Sequence, residues 1–506
     1  MSNPRDKARD RLLAIAQALQ SPDPNYGLPQ EFMTKLRAAL VADPLLPRAD
    51  PSVSLWQKPP HPSVSNIQSP SLPQLADFIV IGSGITGCSV TKSLLEDDSL
   101  HPASRVVVLE ARTLTSGATG RNGGQLVSPV GHTYSALCRR HGEDVAKEMS
   151  RFSLMNVDRV MSMVKDLDPE LQAASEIRKV SKVTVSGDKE TWEVSRKSLD
   201  AFRDAIPEHR TLHGVIEKED LAELNIKNGF GVIQHQVGAL WPYRLITGIF
   251  ERLLAQHPDR LSIETNTPAT NVRFLPESES KYLYAIETPR GTIRSKQVIH
   301  CTNANAAHLL LQKTGPYLEH CGNQRSWSCL VKSKLDPVTG FFHSGLYYLQ
   351  QHGTTGDIWV GTDYSNLFDV LTSDDTSVPG QAVEALLRFL PEYFAKGWPT
   401  GELPELKGVW TGLQGHTSDG IPLVGRLTKD MSGRDGDGEW FAGGYSGYGM
   451  DKAWMTGEAL CSMITRDVVP DWLPKAFLMT EERLQRDVTV EKSVAKWVSI
   501  AKTGDW

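Results

Sequence analysis

The sequence predicts an α/β protein, α+β overall, with two domains that are each built from discontinuous segments of the chain. Three observations predict this fold class. A buried strand, DFIVIGSG, begins the main body near Ala76 and leads into a helix through Leu95 and then a second strand, RVVVLEA. Strand-like segments mixed with charged helices follow at about 180–240, and a strand-rich stretch follows at about 323–420. Alternating strands and helices indicate a parallel sheet, whereas runs of strands indicate a mixed, mainly antiparallel sheet.

The composition is that of a globular protein and excludes several classes of function. The 506 residues are 40% hydrophobic and 23% charged, and the net charge of −6 includes no long basic block. Nucleic acid is therefore not expected as a partner, because phosphate binding needs clustered Lys and Arg. No stretch reaches the roughly 18 apolar residues of a membrane span. The first residues, MSNPRDKARD, lack the apolar core of a signal peptide. We expect a cytoplasmic protein with no membrane partner.

The first 75 residues differ in composition from the rest of the chain. Helices are predicted at residues 4–20 and at about 29–41. Residues 43–73 are rich in Pro and Ser and are predicted to form an extended arm, because Pro removes a backbone donor and blocks helix formation. We expect Trp56 to anchor this arm on the main body. A partner-binding motif is the alternative interpretation.

A glycine-rich turn follows the first strand of the main body. Its residues, Gly82-Ser83-Gly84-Ile85-Thr86-Gly87, connect that strand to a helix. GxGxxG in this strand–turn–helix context predicts a Rossmann-type dinucleotide site. Gly82 permits the tight turn, Gly84 lets the backbone approach a pyrophosphate, and Gly87 lets the helix pack on the strand. A tight turn with no ligand is the alternative.

Two neighbouring features fit the same prediction. The helix begins at about Ile85 and Thr86, and its N-terminal N–H groups and positive dipole end would face the phosphates. Glu110 ends the next strand, VVVLE, where a carboxylate would accept hydrogen bonds from the ribose hydroxyls.

The stretch after Glu110 is small, polar and glycine-rich, which lets backbone lie against a large flat ring system. Here the sequence, and SGATGRNGGQ above all, resembles the D-amino-acid oxidase/glycine oxidase/sarcosine oxidase family of flavoproteins, most closely its γ-glutamylputrescine oxidase-like and fungal branches. The resemblance covers about residues 76–465. It implies FAD as the cofactor, and the residues it places at the FAD in this stretch are Ala111, Arg112, Ser116, Gly117, Ala118, Thr119, Arg121, Asn122, Gly123 and Gly124.

Further segments resemble the same family in the same order along the chain. Gly238–Pro242 resembles the entry to the helix beyond the first substrate-domain strands, and Val272 resembles the residue whose backbone holds the adenine. Thr302 and Asn303 lie in a strand end that closes the FAD site. Trp410 precedes a D-x-x-P-x-x-G segment at 419–425. The last segment resembles the turn against the flavin pyrimidine, and it contains Gly444, Gly447, Tyr448, Gly449 and Met450.

Physical chemistry alone also suggests a role for the turn that contains Gly447 and Gly449. A flavin becomes anionic at its N1–O2 edge when it is reduced, and preorganised N–H groups with a helix N-terminus stabilise a charge that develops in front of them. Gly447 and Gly449 lack the side chains that would block this approach, and the helix starting near Lys452 supplies the dipole. A glycine-rich corner with only a packing role is the alternative.

The resemblance implies a domain division and a chemistry. The FAD-binding domain would comprise residues 76–170, 241–315 and 409–470, and the substrate domain residues 171–240 and 316–408. An N-terminal region of residues 1–75 and a C-terminal helical tail of residues 471–506 complete the chain. The family oxidises carbon–nitrogen bonds: a neutral amine gives a hydride to flavin N5, the imine hydrolyses, and oxygen usually reoxidises the flavin to give hydrogen peroxide.

Two departures from the family concern the flavin. Trp410 stands where sarcosine oxidase-like members tether the flavin through a cysteine, and Arg121 stands where dehydrogenase relatives use a histidine. The FAD is therefore expected to be bound without a covalent link. Trp359 stands where such oxidases have a lysine that assists oxygen, although other oxidases of the family work without that lysine, so the resemblance leaves the electron acceptor open.

A third departure concerns the substrate. Asp451 stands where sarcosine oxidase-like members have a lysine for the substrate carboxylate. A carboxylate there would attract a cation, since a charge pair near 4 Å is worth about 4 kcal/mol at an effective dielectric of about 20. This favours an amine over a free amino acid; helix capping by Asp451 is the alternative.

Aromatic and histidine side chains are the remaining candidates for catalysis. Trp241, Trp359, Tyr445 and Tyr448 could form a cage for an amine through cation–π contacts, with ordinary core packing as the alternative. His416 is a candidate proton acceptor, with a structural role as the alternative.

Three other functions compete with an amine oxidase. A dehydrogenase would pass the electrons to another acceptor. A flavoprotein monooxygenase would need a site for NADPH, and no second GxGxxG follows a strand. A flavin-binding interaction protein would use the arm. A metal hydrolase is not supported, because the 14 histidines form no HExxH or comparable cluster.

Overall fold

The structure is a computed structural model that describes residues 26–310, 326–330, 338–343, 347–362, 367–395 and 403–503. The helix predicted at residues 4–20 lies outside the described residues. The described strands are β1 Leu75–Ile81, β2 Val106–Leu109, β3 Gln125–Leu126, β4 Arg178–Ser186, β5 Gly214–Glu217, β6 Gly231–Ala239, β7 Leu261–Glu264, β8 Asn271–Phe274, β9 Tyr284–Thr288, β10 Gly291–His300, β11 Ser326–Leu330, β12 Val338–His343, β13 Tyr347–Gln351, β14 Ile358–Thr362, β15 Leu406–Trp410, β16 Leu423–Arg426 and β17 Glu439–Gly443.

The α-helices among the described residues lie before, between and after these strands. They are α1 Gln30–Val41, α2 Ile85–Glu96, α3 Val130–His141, α4 Glu143–Lys165, α5 Pro169–Ser175, α6 Lys189–Ala205, α7 Pro242–Gln256, α8 Leu367–Val370, α9 Gly380–Tyr393, α10 Lys429–Ser432, α11 Ala453–Arg466, α12 Glu481–Arg486 and α13 Val490–Thr503. None of the described helices has the length and apolar character needed to cross a bilayer.

The first sheet has a parallel centre. Its strand order is β16-β17-β10-β1-β2-β7, and the hairpin β8–β9 is added to β10. Strand β1 pairs in parallel with both β10 and β2. Val80 on β1 and Val108 on β2 are fully buried, as expected for parallel strands covered on both faces. Helix α2 packs beside α11, and the Ser89 hydroxyl donates to the Trp454 carbonyl at 2.6 Å.

The second sheet is mixed and mainly antiparallel. Its order is β15-β11-β14-β13-β12-β4-β6-β3, with β5 added to β6. Strand β4 pairs antiparallel with β6 and parallel with β12. The two sheets confirm the predicted fold class. Strand β3 pairs with β6, so the segment 76–170 also supplies a strand to the second sheet.

The N-terminal arm lies on the main body. A short 3₁₀ helix, Leu55–Gln57, interrupts it, and Trp56 is 1% exposed. Trp56 stacks on Trp359 with the ring centroids 4.0 Å apart and the planes 5° apart. The prediction that Trp56 anchors the arm is therefore confirmed. At the other end of the chain, α13 packs against α1, with Trp497 buried between them.

Candidate functional site

A cavity lies at the carboxyl ends of the central parallel strands. Its walls include Gly82–Thr86 after β1, Glu110–Arg112 after β2 and Cys301–Asn305 after β10. In open α/β sheets, ligands bind in the crevice beyond the carboxyl ends of the strands. The cavity therefore lies where a dinucleotide site is expected.

The glycine corner, Gly82–Gly87, has no room for side chains at two positions. Gly82 has φ +106°, and a Cβ on it would lie 2.7 Å from the Cys301 carbonyl oxygen. A Cβ on Gly87 would lie 2.0 Å from the Gly82 carbonyl oxygen. Atoms this close would overlap, so both glycines are required by the backbone packing itself. Gly87 does not line the cavity; it brings α2 against the strand.

The N-terminus of α2 points its first amides toward the cavity region. Gly84 is the N-cap and provides no side-chain cap. The Ile85 N–H donates to Thr119 Oγ1 at 2.9 Å, and both residues line the cavity. The positive dipole end of this helix favours an anion such as a phosphate.

Glu110 is held by the glycine corner. Its Oε2 accepts from the Ser83 N–H at 3.1 Å and from the Ser83 hydroxyl at 2.6 Å, and its Oε1 accepts from the Arg112 N–H at 3.0 Å. Glu110 is only 9% exposed and lines the cavity. The ordered carboxylate is at the cavity wall, and its role toward a ribose remains a prediction.

Most of the predicted residues in the loop 116–124 line the cavity. They are Gly117, Ala118, Thr119, Arg121, Asn122 and Gly123, together with Ala111 and Arg112 before them. Ser116 and Gly124 lie behind the lining. A Cβ on Gly124 would lie 2.9 Å from the Trp56 ring.

Arg121 is a buried cross-link within this wall. It is 2% exposed, donates from Nη1 to the Thr411 carbonyl at 2.7 Å and donates from Nη2 to the Ser52 carbonyl at 2.7 Å. Burial lowers the pKa of Arg121 to about 10. Trp410 is fully buried beside it and donates from Nε1 to the Arg121 carbonyl at 3.0 Å without lining the cavity.

The second glycine-rich turn faces the same cavity. Tyr445, Gly447–Asp451 and Ala453 line it, whereas Gly444 does not and donates its N–H to Asn303 Oδ1 at 3.0 Å. The Tyr445 hydroxyl lies 2.9 Å from the hydroxyls of both Thr86 and Thr456. Burial raises the pKa of Tyr445, so its hydroxyl stays protonated and ties α2 to α11. Tyr448 is 38% exposed.

The structure does not assemble the four aromatic residues of the predicted cage. Trp241 and Trp359 belong to a tryptophan cluster whose members are Trp56, Trp241, Tyr243, Tyr348, Trp359 and Trp410. Tyr445 belongs to the core cluster around α2 and α11 instead. The alternative of core packing explains Trp241 and Trp359, since neither lines the cavity.

Two other predicted site residues also lie away from the cavity lining. His416 is 6% exposed, with Nε2 3.1 Å from Gln414 Oε1 and its ring 5.9 Å from that of Trp497. Val272 pairs with Ile286 in the β8–β9 hairpin. Ala269, just before β8, lines the cavity in its place.

Asp451 lies at the cavity but is already paired. It is 1% exposed, and its Oδ2 accepts from the Ser153 hydroxyl at 2.5 Å and from Lys452 Nζ at 2.6 Å. The helix-capping alternative is wrong, because the N-cap of α11 is Lys452 and the side chain that accepts from a first-turn amide is Asn156, whose Oδ1 accepts from the Met455 N–H at 2.9 Å. The argument for an amine from an uncompensated carboxylate is weakened, because Lys452 offsets the charge.

Lys182 is a residue of this cavity that the sequence did not indicate. It lies in the middle of β4 in the second sheet and is 1% exposed. It lines the same cavity as the strand ends of the first sheet. Burial lowers the pKa of Lys182 to about 7, while the Asp451 carboxylate raises it. The only sequence signal is a charged residue within the apolar alternation of VSKVTVS, which is as typical of an exposed strand face.

Two buried histidines, His213 and His235, and the partly buried His132 interact electrostatically with Lys182. His235 pairs with Lys182 across the β4–β6 ladder, and the rings of His213 and His235 are 4.4 Å apart. Burial lowers the pKa of His213 to about 3 and lowers those of His132 and His235 well below the ordinary value, and the Lys182 charge lowers all three further. Neutral histidines are therefore expected here, and the positive charge of the region depends on Lys182 and Lys452.

The residues of the cavity fit a flavin dinucleotide. The glycine corner admits close approach of a diphosphate, and the Thr302 hydroxyl, which lines the cavity, has no hydrogen-bond partner among the described residues. The family described as FAD dependent oxidoreductase, abbreviated DAO, matches residues 77–463. The chain belongs to this family. It is an FAD-dependent oxidoreductase, and the resemblance inferred from the motifs is confirmed.

Known members of the family support the assignment. Over 413 residues the chain is 24% identical to the γ-glutamylputrescine oxidoreductase of Escherichia coli (strain K12), an alignment that covers 77% of this chain and 84% of that protein. L-proline dehydrogenase from P. horikoshii superposes with a TM-score of 0.61 at 17% identity, covering 83% of this chain and 100% of that one. Glycine oxidase from Geobacillus kaustophilus gives 0.60 at 15% identity, covering 81% and 99%. These likenesses at low identity show the shared fold.

Proposed function

We propose that this protein oxidises the carbon–nitrogen bond of a small-molecule amine and passes the electrons to oxygen. The amine loses a hydride and a proton to become an imine, and water then converts the imine to a carbonyl compound and a released amine. Oxygen takes up the two electrons and two protons as hydrogen peroxide. A cytoplasmic location remains a prediction from the composition.

One observation carries the proposal: the glycine corner and the turn at 445–451 face a single cavity that Lys182 closes from the second sheet. FAD, when bound, supplies a hydride acceptor for the carbon next to the nitrogen. The first amides of α2 and the residues after β2 would hold its diphosphate and ribose. No histidine or cysteine stands at the places of the family's covalent links, so we propose that the FAD is bound without a covalent bond.

Lys182 and Asp451 are the groups that we propose act on the substrate. An amine is oxidised in its neutral form, so an ammonium substrate must first lose a proton. Lys182, with a pKa of about 7, can accept that proton at neutral pH. The Asp451 carboxylate stabilises the lysinium that forms, because opposite charges attract strongly in a buried site. Lys452 keeps Asp451 in place through their 2.6 Å ion pair.

The name of the relative from Escherichia coli supports an amine substrate. That protein is described as a γ-glutamylputrescine oxidoreductase, and γ-glutamylputrescine carries an amine. The paired Asp451 makes a free amino acid as compatible with the cavity as an amine without a carboxylate. Comparing the two classes in one experiment therefore decides the substrate class.

The test starts from the visible spectrum of the purified protein. We expect a yellow protein whose flavin band bleaches without oxygen when the correct amine from a panel of polyamines, N-acylated polyamines, secondary amines and amino acids is added. Admitting oxygen should restore the band and release one peroxide per turnover. Bleaching that only an artificial acceptor reverses would instead indicate a dehydrogenase, and flavin turnover with NADPH and no amine would indicate a monooxygenase. Failure of every amine to bleach a yellow protein would contradict the proposal.

Asp451→Asn tests the electrostatic role of this carboxylate. The Asp451 carboxylate raises the pKa of Lys182, so the Asn variant should have a lower lysine pKa. The acidic limb in a plot of kcat against pH should therefore move to lower pH. The free energy of unfolding should fall by about 1.5–3 kcal/mol, since two buried hydrogen bonds lose their charged acceptor. Stopped-flow flavin reduction across pH measures the limb. An unchanged limb and unchanged KM for amines would contradict the role.

A further inference from the structure

The N-terminal arm contacts the cavity although it lies outside the family match, which begins at residue 77. Leu45, Leu46 and Pro47 line the same cavity as Glu110 and Ala269. In dinucleotide folds the acidic residue at the end of the second strand marks the adenosine end of the site. The apolar side chains of the arm therefore lie on the adenosine side of the cavity.

The backbone at Leu45 is held in a strained conformation. Leu45 has φ +61°, which is the left-handed region that side chains rarely adopt. Its N–H donates to Asp43 Oδ1 at 2.7 Å, and its carbonyl accepts from Asn305 Nδ2 at 3.1 Å. Strained conformations persist where surrounding contacts determine them, and such sites cluster at ligand clamps. Asn305 itself lines the cavity, so the contact links the arm to the strand end after β10.

A second part of the arm binds the loop 116–124 from behind. The Ser54 hydroxyl donates to the Gly120 carbonyl at 2.7 Å, and Trp56 Nε1 donates to the Asn122 carbonyl at 2.5 Å. Gln57 Nε2 donates to the carbonyls of Ser116 at 3.2 Å and Gly120 at 3.0 Å. The arm therefore binds carbonyl oxygens of this loop at three residues.

These bonds fix the direction of the loop amides. In a planar trans peptide the C=O and the N–H of the next residue point in opposite directions. The carbonyls of Ser116 and Asn122 point to the arm, so the N–H groups of Gly117 and Gly123 point away from it. Gly117 and Gly123 both line the cavity. The arm therefore orients donors toward the side on which a cofactor binds.

We propose that residues 43–58 of the arm form an FAD-binding element that lies outside the residues matched by the family. Leu45–Pro47 cover the adenosine end, and Ser54, Trp56 and Gln57 hold the loop 116–124 with its amides facing the cavity. This element adds to the family domain and is independent of the amine that the enzyme oxidises.

The test measures FAD affinity with no substrate present. FAD is removed, and its rebinding to the apoprotein is followed by flavin fluorescence for the wild type, for Ser54→Ala/Gln57→Met and for Leu46→Ala. Val53→Ser is the matched control, because Val53 lies in the same arm between Pro47 and Ser54 and is 54% exposed. We expect the Kd for FAD to rise by about tenfold in both variants, because the double variant loses the three hydrogen bonds that hold the loop and Leu46→Ala loses apolar cover. A Kd equal to that of Val53→Ser in both variants would overturn the proposal.

A second measurement uses the unmodified protein. If the arm contributes to FAD binding, then FAD must stabilise the docked arm by the same coupling free energy. We expect limited proteolysis within residues 43–58 to slow when FAD is added to the apoprotein, while cleavage elsewhere serves as the reference. Cleavage of the arm at the same rate with and without FAD would overturn the proposal even if a substituted variant fails to fold. Both readouts are independent of whether an amine is the substrate.

Discussion

Gly87→Ala is expected to give a protein that purifies without yellow colour. The added Cβ would lie 2.0 Å from the Gly82 carbonyl oxygen, so α2 must move away from β1 or the glycine corner must open. Overpacking of this kind costs about 1–3 kcal/mol. If that strain falls on the glycine corner, which we propose binds the diphosphate, the affinity for FAD drops by about 10- to 100-fold. The Kd for FAD, measured by fluorescence on the apoprotein, checks this result.

Gly380→Ala is the control for the Gly87 variant. Gly380 is the first residue of α9, and a Cβ there would meet nothing within 4 Å. We expect its FAD affinity and thermal unfolding to match those of the wild type. An alanine at Gly87 that binds FAD as tightly as the Gly380 control would contradict the assignment of the corner to the diphosphate.

Lys182→Met is expected to lower kcat by about 100-fold or more, which is the ordinary contribution of a general base. In the wild type the lysine has a pKa of about 7. It is neutral above that pH and loses its capacity to accept a proton as the pH falls through it. The wild-type kcat should therefore drop by about tenfold per pH unit below about 7, and this limb should be absent from the variant. Stopped-flow reduction of the flavin between pH 5 and 9 measures both effects.

The folding of the Lys182 variant can be checked separately. Methionine has a similar length and carries no charge into the buried site, so the variant should bind FAD normally. Lys179→Met is the matched control, because Lys179 lies on the same strand with its side chain exposed. A pH profile of Lys182→Met that keeps the wild-type limb would assign that ionisation to another group, such as the substrate amine itself.

The glycine corner could be predicted from sequence because the residues that its backbone conformation requires are close together in the chain. Gly82, Gly84 and Gly87 are needed by one turn, and the strand before it and the helix after it lie beside them in the chain. The order of the later motifs identified the family in the same way. Such signals depend on backbone conformation, which a short stretch of sequence determines.

The substrate side could not be predicted because it is assembled from distant parts of the chain. Lys182 meets Asp451 only after β4 has paired with β6 and the second sheet has packed against the turn before α11. The pairing of Asp451 with Lys452 and Ser153 removed the simple inference from its charge. Trp359 was predicted to lie in an aromatic cage for the amine. It does not line the cavity and instead stacks on Trp56 of the arm, a residue that is distant in sequence.

The stacking of Trp56 on Trp359 sets an order for biosynthesis. The ribosome makes Trp56 early, whereas Trp359 and Trp410, its neighbours in the tryptophan cluster, emerge much later. Contacts between residues far apart in sequence form late, because the loop between them must close first. Until Trp359 is made, Trp56 therefore has only partners from earlier in the chain, such as the Asn122 carbonyl and the Trp241 ring. The cavity itself is completed later still, because the turn at 445–451 that lines it is made after Trp359.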